Sequence, residues 1–200
     1  VASSGDQLSR SILKVPLEEL DLDDENREKF SDFLFFEPSE QISRVVFIGT
    51  PHRGSKLANK AGGLASRLVR QSGFADLRNQ LLQLNRDAFV TPLRRLPTSV
   101  DLLKPENPLL QAIYELPVDS RVRMHSIIGA GHQGRFHGEP SDGVVPVSSA
   151  KHPHVESELL VDAGHGLHHH PETIDEVVRI LRIHVGIDTT RLQTASVLEH

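Results

Sequence analysis

Arg44-Val45-Val46-Phe47-Ile48-Gly49 is the feature that most narrows what this chain can fold into. A strand with one wet face alternates apolar and polar residues. An unbroken apolar run closed by glycine instead suits a strand buried on both faces, as in a parallel sheet. A sharp loop, Thr50-Pro51-His52-Arg53-Gly54-Ser55, follows it. After the loop, Leu57, Ala61, Leu64, Ala65 and Leu68 recur at helical spacing. A second strand is expected over 122–128, stopped by Gly129, and a third over 158–161. Pro171 and Glu172 then suit the first turn of a helix, with Ile174, Val177, Val178, Leu181 and Val185 on one face and Gly186 at its end. Strands alternating with helices predict an α/β fold, a mostly parallel sheet with helices on both faces.

Between the first two strands, residues 75–117 read as helical pieces interrupted by Pro92, Pro97, Pro105 and Pro108. The loop after the second strand, 130–141, is long and rich in Gly and His. The acidic stretch 17–29 reads as a solvated loop and helix face. Phe33-Leu34-Phe35-Phe36 reads as a buried cluster or part of a lipophilic entrance.

Composition excludes several classes. Aromatics are 4% with no Trp, so the core is aliphatic. A net charge of −5 lacks the basic balance of an electrostatic nucleic-acid binder. No apolar run is long enough to span a bilayer. With no Cys there is no disulfide, thiol nucleophile or Cys-based zinc site, and the redox compartment is unreadable. Leu198-Glu199-His200 has the look of a tag junction, so 187–200 is expected to be a polar tail.

In open α/β sheets, functional residues sit on loops leaving the carboxyl ends of strands. Here those loops are 50–55, 130–147 and 162–170. The second holds Ser141-Asp142-Gly143-Val144-Val145-Pro146 and the third Gly164-His165-Gly166-Leu167-His168-His169-His170. An acid followed in the chain by a histidine is the order of Asp and His in serine hydrolases of this class. The chemistry needs both: imidazole takes the serine proton, and a carboxylate on its other nitrogen fixes the tautomer. Asp142 and His165 are 23 residues apart, room for one connection and one strand. Glu139 is the alternative acid and His168 the alternative base. His52 is expected to brace its own loop.

Three segments together resemble bacterial lipase- and esterase-like α/β-hydrolases, a group allied to triacylglycerol lipases and to lipases that deacylate glycosylphosphatidylinositol anchors. They are RVVFIGTPHRGS (44–55), SDGVVPVSS (141–149) and ELLVDAGHGLHHHPETIDEVVRIL (158–181). The resemblance runs from about residue 17 to residue 186. It implies that 1–186 is the C-terminal portion of one α/β-hydrolase domain, with 56–117 in a helical cap. It also implies that Asp142 is the triad acid and His165 the base, that Thr50, Pro51 and His52 belong to an active-site loop, and that no cofactor is needed. The expected substrate is a small-molecule or lipid carboxylic ester. An extracytoplasmic or cell-envelope location is implied by the resemblance alone.

One departure is decisive for activity. No Ser here has Gly at both the −2 and +2 positions, so the Gly-x-Ser-x-Gly elbow of that family is absent. The nucleophile is expected upstream of residue 1, on a preceding segment or another polypeptide, and this chain alone is expected to be inactive. Two other classes compete: a non-catalytic α/β scaffold, and a metal-binding protein using the histidines that crowd residues 125–170. No HExxH helix supports the latter.

Overall fold

Each apolar run forms a strand of one parallel sheet. The computed structural model describes residues 4–57, 77, 80–90, 99–136 and 138–187. The sheet comprises β1 (Arg44–Ile48), β2 (Arg123–Gly129) and β5 (Ser157–Val161), in the order β1-β2-β5 with both pairings parallel. β2 is central, and Met124, Ile127 and Ile128 are almost fully buried. β1 is only partly buried along its length, because among the described residues it has a strand partner on one side alone.

The two faces of the sheet follow from the two-residue period of β2. Ile127 and Val161 pack with Val46, Ile48, Leu159 and Val177, the last from a helix over Pro171–His184. Ile128, on the opposite face, packs with Val145, Ala150 and Val147, which bracket the short helix Val147–Ala150. Helices therefore cover both faces, as the alternation of elements predicts. Fully burying an Ile or Val of this kind stabilises the fold by roughly 1.5–3 kcal/mol each. Between β2 and β5 lies a feature the sequence did not announce: β3 (His132–Phe136) and β4 (Glu139–Ser141) form a small antiparallel pair inside what reads as a long loop.

The contacts divide the chain into two compact units, Val1–Ser43 with Pro51–Val122, and Arg44–Thr50 with Arg123–His200. The sheet belongs to the second. In the described part of the first, helices α1 (Gln7–Ile12), α2 (Asp24–Leu34), α3 (Ser99–Leu102) and α4 (Pro108–Tyr114) accompany a π turn at Gln80–Leu84. Its core is aliphatic, built from Leu8, Leu20, Leu34, Leu81 and Leu109, with Phe30 and Phe89. α2 starts where Asp23 accepts the Asn26 N–H at 2.8 Å, with Asp24 and Glu25 in its first turn. Asn26, Phe30 and Leu34 then recur every four residues to form its buried stripe. Asn107 caps α4 in the same manner, with Pro108 in the first turn.

Buried Asn85 ties the unit together: its side chain accepts the Asp21 N–H at 2.7 Å and donates to the Asp21 and Gln80 carbonyls. Phe33–Phe36 is not the buried cluster that was one of its two expected readings. Only Leu34 is buried, while Phe33, Phe35 and Phe36 are 50%, 37% and 38% exposed, because a helix end turns one residue in four inward. The helix expected through Leu68, beyond Leu57, much of the cap region and the tail beyond 187 lie outside the described residues. No helix among the described residues is long and apolar enough to cross a membrane.

Candidate active site

The carboxyl ends of the strands bring Asp142 and His165 together. In the second unit, α5 is Val147–Ala150 and α6 is Pro171–His184. Asp142 leaves β4, and His165 lies just beyond β5. His165 Nδ1 is 2.7 Å from Asp142 Oδ2. An ionised carboxylate can only accept, so Nδ1 carries the proton and Nε2 is the basic nitrogen. The other carboxylate oxygen, Oδ1, accepts the N–H groups of Val144 at 2.8 Å and Val145 at 2.6 Å. The acid is thus held on both sides, with a side chain only 1% exposed, whereas the His165 side chain is 52% exposed. A buried, fixed acid beside a half-exposed base orients the ring and leaves it open to a reactant.

Glycines make this approach possible. Gly129 ends β2, and a Cβ there would sit 2.6 Å from the Asp142 Cβ. Gly49 follows β1 with φ of +57°, and a Cβ there would meet Leu167 Cδ2 at 2.9 Å and Asp142 Oδ2 at 3.4 Å. The glycines that mark strand ends in the sequence therefore also clear space for the acid. Leu167, two residues after His165 and 2% exposed, anchors the histidine loop in the core beside Ile127 and Val161. Sequence reading missed Gly49, Gly129 and Leu167 as parts of the site. For the two glycines the signal was a glycine closing the first and second apolar runs.

The alternative residues are engaged elsewhere. Glu139 Oε1 accepts the Ser148 N–H at 2.7 Å, near the start of α5. The His168 ring lies against that of His169, with centroids 3.9 Å apart. Thr50 belongs to the second unit, while Pro51 and His52 belong to the first. There the His52 ring is 6.4 Å from that of Tyr114, and Gly54 (φ +78°) passes so close to Leu103 that a Cβ would be 2.6 Å from its carbonyl oxygen. Among the described residues no group of three or more His, Asp or Glu is placed to hold a metal ion.

A second histidine occupies the amino end of the same sheet. His125, 1% exposed on β2, has Nε2 against Arg44 Nη1 and Nδ1 2.8 Å from Ser157 Oγ. Ser157 in turn contacts Glu176 and Arg179 of α6, which are paired with each other at 2.6 Å. Burial, then the neighbouring Arg44 charge, push His125 below the ordinary histidine range, against the opposing pull of Glu156 and Glu176. Hydrogen bonds from Arg179 hold Glu176 below the ordinary carboxylate range.

No family model matches the chain, and no curated protein matches it. Among solved structures, it is similar to Bacillus licheniformis lipase BlEst2 in its mature form, with 18% sequence identity and a TM-score of 0.36. That match covers 62% of this chain and 47% of the lipase, so the chain spans about half the length of its structural neighbour.

Proposed function

We propose that this chain carries the acid and base of a serine hydrolase of the α/β-hydrolase fold that cleaves carboxylic esters. The observation that supports it is the Asp142–His165 contact, with the acid buried and its second oxygen taken by two backbone N–H groups. In this reading a serine from a segment outside these 200 residues attacks the ester carbonyl while His165 Nε2 takes its proton. Asp142 stabilises the resulting imidazolium without accepting the proton. His165 then protonates the departing alcohol. Water, deprotonated by the same nitrogen, releases the acid from the acyl-serine. The substrate is a small-molecule or lipid ester, and the chemistry requires no cofactor.

A fluorophosphonate probe, which forms a covalent bond with activated serines, tests this together with intact mass. A polypeptide heavier than this chain's 22.2 kDa is expected to be labelled, and His165→Ala should slow labelling by about 10⁴-fold or more. Labelling that persists at its full rate in His165→Ala would remove the histidine from its role. Labelling of the 22.2 kDa chain itself would place the nucleophile inside it.

A further inference from the structure

His132 opens β3 opposite Ser141, and its backbone carbonyl accepts the Ser141 hydroxyl at 3.3 Å. The Ser141 oxygen also accepts the Gly143 N–H at 3.1 Å, which ties the start of β3 to the acid loop. The His132 ring lies against glycines from two different loops. A Cβ at Gly143, the residue after Asp142, would fall 3.5 Å from ring atoms Cγ and Nδ1. A Cβ at Gly164, the residue before His165, would fall 3.0 Å from ring atom Cε1. That same position is 3.6 Å from the Asp142 carbonyl oxygen, so the two loops meet beside the ring.

Both loops are otherwise anchored away from this point. Val144 and Val145 hold the acid side, and Leu167 holds the histidine side in the core. Between those anchors, His132, itself an exposed residue, lays its ring over the two glycines where the loops meet. A rigid planar group set beside two loops at their point of approach opposes their closer approach. We propose that His132 is a positioning residue, whose ring spaces the acid loop and the base loop so that the Asp142–His165 hydrogen bond forms. This rests on the reading of Asp142 and His165 as acid and base.

The test uses the complete chain and the proton on His165 Nδ1, observed by NMR as a slowly exchanging downfield resonance. His132→Ala is expected to speed its exchange about tenfold, equivalent to losing the support of roughly one hydrogen bond. His132→Phe, which restores a flat ring but no ring nitrogen, should return the exchange rate to within about twofold of the parent chain. An unchanged resonance in His132→Ala would overturn the proposal. Equal loss in the Ala and Phe variants would also overturn it, because the ring's nitrogens rather than its shape would then matter.

If His132→Ala loses its folded dispersion, Gly164→Ala provides the second variant, since its methyl group would press on ring atom Cε1. Accelerated exchange there supports the spacer role, and an unchanged resonance overturns it. Asp142→Asn separates this outcome from the function itself. A downfield resonance that survives Asp142→Asn would show that the acid–base pair is not formed, whatever His132 does.

Discussion

His125 and His165 belong to opposite ends of one small sheet, and their surroundings differ in partner and exposure. His125 sits within β2, fully enclosed, with Arg44 at one ring nitrogen and Ser157 at the other. His165 sits on a loop, with Asp142 at one nitrogen and half of its side chain exposed. At the amino end a ring serves as a bridge between strands, and burial, reinforced by a positive neighbour, disfavours its charging. At the carboxyl end a carboxylate accepts from one ring nitrogen while half of the side chain stays exposed. A histidine's partner and exposure together, rather than its presence in a sheet, distinguish the two rings.

The largest effect expected from breaking this comparison is on stability. His125→Ala should destabilise the chain by about 3 kcal/mol, because it opens a cavity and strips the mostly buried Arg44 head and Ser157 of a partner. His165→Ala should cost no more than about 1 kcal/mol, because Asp142 keeps the bonds from Val144 and Val145. Urea unfolding of both variants checks the contrast, and equal losses would abolish it.

A smaller effect sharpens the carboxyl end alone. Gly129→Ala forces a methyl group to within 2.6 Å of the Asp142 Cβ, so Asp142 and its loop have to shift. The expected cost is about 2 kcal/mol in unfolding free energy, together with loss of the His165 downfield proton. An unperturbed resonance in that variant would show that the site tolerates the displacement.

The smallest effect is a pH dependence that belongs to His125. Its folded-state value lies below the ordinary 6.5, so protons bind more readily to the unfolded chain. Its contribution is therefore present above about 6.5 and is lost as pH falls from there towards the lowered folded-state value. Chemical unfolding between pH 7 and 5 should show declining stability, with a shallower decline in His125→Gln. The groups facing the ring are Arg44, Glu156, Glu176 and Arg179. Glu176, held low by Arg179, contributes its own loss only below about 4.5, outside that window.

Much of the fold was legible because burial leaves a one-dimensional trace. The run at 44–49 becomes β1 and a helix starts at Pro171, but the face expected for that helix is corrected. Ile174, Val178, Leu181 and Val185 are exposed, and only Val177 of that set packs inward, beside buried Thr173 and Ile180. The β3–β4 pair was not legible. His132-Gln133-Gly134-Arg135-Phe136 and Glu139-Pro140-Ser141 carry little apolar alternation, and backbone pairing leaves no mark in composition. The exposed Phe33, Phe35 and Phe36 show the converse limit, since hydrophobicity at a helix end does not specify which side chains turn inward.

What the sequence determined by itself was the order of elements and the kinds of residue at the strand ends: an acid in one loop, a histidine in the next, and Gly49 and Gly129 closing the first two apolar runs. These are local properties, written in runs and spacings of neighbouring residues. Only the tertiary structure decided that Asp142 rather than Glu139 meets His165 rather than His168, and that His125 is enclosed by Arg44 and Ser157, which lie 81 and 32 residues away. Such pairings depend on strand register and on close approach across glycines, and neither is a property of any short stretch of chain.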